Sequence, residues 1–238
     1  MKIGIFGDSY GDTADRECNE KSNSWINHLA NINNKELDVT NYCLSGSSFY
    51  YSIQLFLKHH HHYDKIIFLV TDQARIEIGN HFVDSMKGDF LVTHLSGYFH
   101  TQWVLKEDYL RHEFDDKVYR AAADYFIYVQ NPVSDNFKHQ LMVEKIKSTR
   151  SDALLFSCFL GTITNEKFAL KMISDIDTNY YKKDWETSNI KDYRHSHMND
   201  ENNIIFAEKI YNWIKTNNIS LNISDFVAPK DPPEYYGF

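Results

Sequence analysis

Short apolar runs alternate with helical patterns along this chain, and the alternation limits its fold more than any other feature. The runs typical of buried strands are Lys2–Phe6, Leu37–Asn41, Lys65–Val70 and Ala153–Cys158. The helical patterns lie at about Ser24–Ile32, Phe49–His60 and Glu201–Lys215. Parallel strands need long crossovers, usually helices, so this order predicts an α/β fold with a mainly parallel sheet between two helical layers. The chain of 238 residues is long enough for one such domain, spanning 1–238.

The stretch from Gly79 to Ser151 is too long for a simple crossover. A helical pattern runs from Leu105 to Val129, and Asn131-Pro132 ends it before a second amphipathic helix that reaches about Thr149. We interpret 79–151 as a helical insertion within the domain. Two roles stay open for it: it borders the site and sets substrate choice, or it only extends the helical layer or forms a dimer surface.

Composition excludes several classes of partner. The net charge of −8 gives no reason to expect nucleic acid or an anionic membrane surface. The longest apolar run, Ala153–Leu160, is far short of a membrane span. A single lysine precedes the first strand, so we expect no signal peptide. The three cysteines have no metal-ligand spacing and suit a reducing compartment, so the expected location is cytoplasmic.

The first apolar run ends in a turn that presents a serine. Gly7-Asp8 breaks the strand after Phe6, and Ser9 follows. Hydrolases with parallel sheets hold a nucleophilic hydroxyl on a tight turn of this kind. Asp8 is expected to tie down the turn through backbone hydrogen bonds. Serine is also common in ordinary turns, so this turn alone leaves both readings open.

Three later segments join this turn in an ordered set. The four blocks are Gly7-Asp8-Ser9-Tyr10, Val39–Ser48, Asp64–Gln73, and His197-Met198-Asn199 with the helix through Ala207 and Ile210. In order and spacing they resemble the blocks of the SGNH (GDSL-type) hydrolases. The resemblance implies an SGNH/flavodoxin-like α/β/α fold, with Ser9 as nucleophile, and no metal or organic cofactor. Gly46 then falls on the oxyanion-hole glycine, while Cys43 stands where a second glycine is common.

Two histidines compete to be the base that a serine nucleophile needs. His197 lies just before the last helix, as the family's histidine does. His195 has the family's Asp-x-x-His spacing from Asp192, whereas the same slot before His197 holds Arg194, which cannot accept a hydrogen bond. We prefer His197, because helix register is harder to satisfy by chance than a single acid. Asp192 then reaches it by another path, or the site works as a Ser-His dyad.

The third oxyanion donor is a second open question. The backbone N–H groups of Ser9 and Gly46 can serve as donors with any side chain. Asp72 occupies the position of the family's donor asparagine, and an ionised aspartate offers no donor. Gln73 can supply an amide and Arg75 a cation. Otherwise Asp72 is protonated, the hole has two donors, or this segment is only a turn.

The resemblance therefore implies a serine esterase or acyl hydrolase that acts on a small or carbohydrate-linked ester, with O-deacetylases among its relatives. A small-molecule or glycan ester is the expected partner. The alternatives are a non-catalytic SGNH-like domain that binds a ligand in the cleft, or an acyltransferase that uses the same site. The run His59–His62 lies at a helix end, where we expect solvated histidines that complement the helix dipole instead of a metal site.

Overall fold

The computed structural model of this chain describes residues 1–8, 10–12, 24–44, 47–71, 128–129, 131–157, 198, 200–219 and 225–226. The elements in chain order are β1 (Lys2–Phe6), α1 (Trp25–Asn31), β2 (Asp38–Asn41), α2 (Phe49–His59), β3 (Lys65–Val70), α3 (Pro132–Thr149), β4 (Leu154–Ser157) and α4 (Asp200–Thr216). Short 3-10 turns, Ile32–Lys35 and His60–His62, follow α1 and α2. The strands and helices predicted for this part of the chain are present, with ends within one residue of those expected. The helix predicted up to Val129 lies almost wholly outside the described residues.

The strands form a parallel sheet in the order β2-β1-β3-β4. Ile5 of β1 pairs with Asn41 of β2 on one side and with Ile67 of β3 on the other. Phe68 of β3 pairs with Leu155 of β4. The predicted mainly parallel sheet is thus confirmed, and the carboxyl ends of its strands meet at one edge, where sites in open α/β sheets are found.

Helices cover both faces of the sheet, because strand side chains alternate between faces. On one face, strand residues pack with α1 and α4, and the buried members are Ile3, Ile5, Ile67, Leu69, Leu154, Phe156, Trp25, Ile26, Leu29, Phe206, Ala207, Ile210, Trp213 and Ile214. On the other face, strand residues pack with α2 and α3, and the buried members are Phe6, Ile66, Phe68, Val70, Leu155, Phe49, Ile53, Phe56, Val143 and Ile146. The three-layer arrangement is therefore present in the described part of the chain. The finer SGNH or flavodoxin-like assignment stays a prediction.

Polar side chains start the helices where the sequence predicts. Ser24 accepts a hydrogen bond from the Asn27 backbone at the start of α1, and Ser48 accepts one from Tyr51 at the start of α2. Asn131 does the same for two amides of α3, directly before Pro132. Such caps satisfy backbone N–H groups that have no partner within the helix.

Arg150 joins the end of α3 to the chain around β3. Its guanidinium donates to the carbonyls of His60 and Tyr63 at 3.0 Å and of Asp64 at 3.1 Å. Two further hydrogen bonds of 2.8 Å reach the Asp152 carboxylate. These bonds hold the pKa of Asp152 below its usual value. The fork thus fixes the turn between α3 and β4 against the loop that precedes β3.

The segment 79–151 is described only in its last part. There α3 packs on α2, and its Val143 and Ile146 belong to the core. Val129 is exposed, although the helical pattern assigns it to an apolar face. The rest of the segment lies outside the described residues, so its interpretation as an insertion stays a prediction. Among the helices in the described ranges, none is both long and apolar enough to cross a bilayer.

Candidate functional site

The site residues predicted from the sequence lie outside the described residues. They are Ser9, Gly46, Asp72, Gln73, Arg75, Asp192, His195 and His197. A chain neighbour of Ser9, Gly46, Asp72 and His197 is described, however, and these neighbours show how the four blocks are anchored. The anchors are Asp8 and Tyr10 beside Ser9, Thr71 before Asp72, and Met198 after His197.

The turn after β1 is anchored on the Gly7 carbonyl. That oxygen accepts hydrogen bonds from the Leu44 amide at 3.2 Å, the Ser47 hydroxyl at 3.2 Å and the Ser52 hydroxyl at 3.1 Å. Gly7 has φ +154°, and a Cβ there would meet both the side chain and the carbonyl of Leu69. Only glycine suits both this φ and this close approach to Leu69. The hydrogen bonds to its carbonyl fix the first block against the second, at the residue that the sequence pattern marked as a strand break.

Asp8 organises the turn that follows β1. It is fully buried. Its Oδ1 accepts from the Tyr10 amide at 3.1 Å, and its Oδ2 accepts from the Thr71 hydroxyl at 2.5 Å. The Asp8 carbonyl also accepts from the Gly11 amide at 3.0 Å, closing a tight turn. The expectation that Asp8 ties down this turn is confirmed, and the Thr71 bond adds a link to the end of β3.

The second block approaches the same turn from β2. The Asn41 amide donates to the Gly11 carbonyl at 2.7 Å, while its Oδ1 accepts from the Cys43 amide at 3.0 Å. Burial raises the pKa of the Cys43 thiol well above its usual value, and the carboxylates of Asp8 and Asp12 raise it further. Cys43 therefore stays a neutral thiol at physiological pH, which makes it a poor nucleophile.

A buried histidine on α3 reaches the end of β3. His139 is 1% exposed, and its ring centroid lies 4.5 Å from that of Phe49. Its Nε2 lies 3.0 Å from the Thr71 carbonyl oxygen. A carbonyl can only accept, so Nε2 carries the proton in this contact. Asp135, one turn earlier on α3, is also buried, and its Oδ1 lies 3.4 Å from the Lys138 ammonium.

A buried path of hydrogen bonds joins the neighbours of the predicted nucleophile and base. The Trp25 indole donates to the Tyr10 carbonyl at 2.9 Å. The Trp25 backbone amide donates to Asn203 Oδ1 at 2.9 Å, and the Asn203 amide donates to the Met198 carbonyl at 2.9 Å. All four residues are at most 4% exposed. Two side chains therefore connect the residue that follows Ser9 with the residue that follows His197.

Among the described residues, no group of three or more His, Cys, Asp or Glu side chains is placed to hold a metal ion. In the run His59–His62, His61 and His62 are exposed. His59 stacks on Tyr42 at 4.9 Å, and His60 lies against Phe56 at 5.1 Å. His59 and His60 are therefore half-buried against aromatic rings, while the exposed His61 and His62 rings lie against each other at 3.9 Å.

Four residues of this edge were not predicted to take part: Trp25, Thr71, His139 and Asn203. Trp25 lies in the predicted helix Ser24–Ile32 and is buried in the core, where its indole N–H needs an acceptor. His139 could have been found from the spacing of Asp135, His139, Val143 and Ile146, which places all four on one side of α3; all four are buried. Two titratable residues on the buried side of a helix are uncommon and mark a polar contact.

Comparison with known proteins adds no family assignment. No protein-family model matches this chain, and no curated protein matches it either.

Proposed function

We propose that this chain is a serine esterase or acyl hydrolase of the SGNH type, acting on a small or carbohydrate-linked ester. Ser9 is the nucleophile and His197 the general base. The backbone N–H groups of Ser9 and Gly46 form the oxyanion hole.

The observation that carries the proposal is the path from Tyr10 through Trp25 and Asn203 to Met198. A Ser-His pair needs its two side chains within hydrogen-bond reach, although their positions in the sequence are far apart. The path holds the chain positions next to both residues in one buried network of 2.9 Å bonds. Such a network supports the pairing of the first and fourth blocks, because buried polar groups fix one arrangement when all are satisfied.

The reaction proceeds through an acyl-enzyme. The Ser9 hydroxyl oxygen forms a bond to the ester carbonyl carbon while His197 takes the hydroxyl proton. The tetrahedral oxyanion collapses, the bond to the alcohol oxygen breaks, and His197 returns the proton to that oxygen. Water then attacks the acyl-enzyme in the same way, which releases the acid and restores Ser9.

Two features of this proposal have alternatives within the chain. Asp192 orients the imidazole, with His195 as the alternative base three residues after it. For the third oxyanion donor, Gln73 or Arg75 takes the place of the family's asparagine, since Asp72 stands at that position. Replacing the residue that supplies this donor is expected to lower kcat about 10²–10³-fold, because one oxyanion donor is worth about that much in turnover.

The test is hydrolysis of 4-nitrophenyl acetate by the full chain. Ser9→Ala is expected to lower kcat on the order of 10⁴-fold or more. His197→Ala and His195→Ala identify the base, because only the true base gives a loss of similar size. Ser148→Ala and His61→Ala, at exposed positions, are matched controls that keep wild-type rates.

A serine-directed fluorophosphonate probe separates the rival functions. The proposal requires labelling at Ser9, which mass spectrometry of the peptides locates. Absence of both labelling and Ser9-dependent hydrolysis overturns the proposal and favours a non-catalytic binding domain. Labelling with acyl transfer to an added sugar in preference to water shows an acyltransferase on the same site.

A further inference from the structure

Thr71 connects two separate polar contacts at the edge of the sheet. Its hydroxyl donates to Asp8, the residue before Ser9, and its carbonyl lies 3.0 Å from His139 Nε2. Asp8 in turn accepts from the Tyr10 amide, on the other side of Ser9. Thr71 itself directly precedes Asp72 and Gln73, the last two residues of the third block. The contacts therefore run from α3, through the end of β3, to both chain neighbours of Ser9.

The path is buried throughout. Asp8 and Thr71 are fully buried, and His139 is 1% exposed. Buried polar groups that lose a partner pay their full desolvation cost, so each contact here strongly restrains its neighbours. The His139 ring is also held in place by Phe49, the first residue of α2.

We propose that His139 is a positioning residue that sets the end of β3 through the Thr71 carbonyl and, through the Thr71 hydroxyl, the Asp8 turn that carries Ser9. Its imidazole does not touch the substrate. It acts by holding the first and third blocks at a fixed position relative to each other. A displacement of about 1 Å between catalytic groups can cost about 10²-fold in rate. The kinetic part of this inference rests on the proposed function.

Two pairs of variants test the path. His139→Leu removes the donor, whereas His139→Gln keeps a side-chain N–H near the position of Nε2. Thr71→Val removes the hydroxyl at nearly constant shape, whereas Thr71→Ser keeps it. Gln140→Ala, at the exposed neighbouring position on α3, is the control and keeps wild-type values.

The first readout does not need activity. Backbone hydrogen exchange is followed by mass spectrometry in peptides covering 6–12 and 69–73. We expect exchange about tenfold faster in both peptides for His139→Leu, and near wild-type exchange for His139→Gln. Unchanged exchange around 6–12 in His139→Leu overturns the inference, whether or not the chain is an esterase.

The second readout is the split between kcat and KM for 4-nitrophenyl acetate. His139→Leu and Thr71→Val are expected to lower kcat about 10- to 100-fold with KM within about threefold. His139→Gln and Thr71→Ser restore most of kcat. The double variant His139→Leu/Thr71→Val loses little more than the worse single variant, since both changes act on one path. Full additivity of the two losses in kcat, or an equal loss in His139→Leu and His139→Gln, overturns the inference. A wild-type protein without Ser9-dependent turnover overturns only the proposed function.

Discussion

The Trp25 indole Nε1 donates a 2.9 Å hydrogen bond to the Tyr10 carbonyl, which joins the start of α1 to the residue after the predicted nucleophile. The Trp25 ring is fully buried and packs edge-on against Phe206 of α4, with ring centroids 5.0 Å apart. One side chain thus supplies both apolar packing between two helices and a polar anchor for the turn after β1.

Replacing Trp25 with phenylalanine separates these two contributions. Trp25→Phe keeps an aromatic ring but leaves the Tyr10 carbonyl without this donor, so we expect a loss of about 1–3 kcal/mol in the free energy of unfolding. Urea unfolding followed by circular dichroism measures it. Trp213→Phe, at another buried tryptophan on the same face of the sheet, controls for the loss of indole bulk. If both variants lose the same amount, the hydrogen bond contributes nothing beyond packing.

Asn203 bridges two backbone groups, and its two substitutions have distinct effects. Asn203→Leu removes both bonds and leaves the Trp25 amide and the Met198 carbonyl without them, at a cost of about 2–4 kcal/mol. Asn203→Asp keeps an acceptor for the Trp25 amide, but in its ionised form it has no donor for the Met198 carbonyl and also buries a charge, so its cost exceeds that of one lost bond.

The proposed esterase activity should decrease when the hydrogen bond to the Met198 carbonyl is lost. Both variants are expected to lower kcat, because the residue after His197 loses its anchor in each. Urea unfolding measures the stability of the variants and hydrolysis of 4-nitrophenyl acetate measures kcat. Asn212→Ala, at an exposed position of the same helix, is the control for both. Wild-type kcat in Asn203→Asp would contradict the idea that this contact positions the base.

A side chain at Gly7 should destabilise the turn after β1. Gly7→Ala places a Cβ against Leu69 at a φ that L residues rarely adopt. We expect a loss of about 2–4 kcal/mol in the free energy of unfolding, since overpacking and backbone strain add. Gly11→Ala is a useful comparison, because its Cβ would meet the Cys43 sulphur and Leu69 in the same region without a positive φ. A neutral Gly7→Ala would show that the turn relaxes freely.

Features set by local pattern were predictable from the sequence. The bounds of β1 and β3 match the apolar runs, because continuous apolar segments of this length are typical of strands buried on both faces. The buried residues of α4 follow its three- and four-residue spacing. The contact of Asp8 with the Tyr10 amide was also predictable, since it spans only two residues.

Contacts between distant residues were not predictable in the same way. Trp25 and Asn203 lie 178 positions apart, and Thr71 and His139 lie 68 apart. No local pattern states which polar groups will meet when helices pack on the sheet. The individual roles of Ser9 and His197 rest on a resemblance for the same reason, and only the anchoring of their neighbours follows from the described contacts.

We expect His59, at the end of α2, and His60, directly after it, to make the stability of the chain depend on pH. Burial lowers the pKa of His59 from its ordinary value of 6.5, and Lys58 lowers it further. Burial also lowers the pKa of His60, to which His61 and Arg150 add. Each folded-state pKa lies below the unfolded one, so the unfolded chain binds more protons as pH falls below 6.5. The stabilising contribution is present above 6.5 and is lost as pH falls through the folded-state values.

The free energy of unfolding in urea should therefore decrease between about pH 7.5 and about pH 5.5. In the double variant His59→Gln/His60→Gln this decrease should be smaller, since both titrating groups are gone. Gln54→Ala, at an exposed position of α2, should keep the wild-type pH dependence and controls for changes to the helix itself. An equally steep decrease in the double variant would assign the acid sensitivity to other groups of the chain.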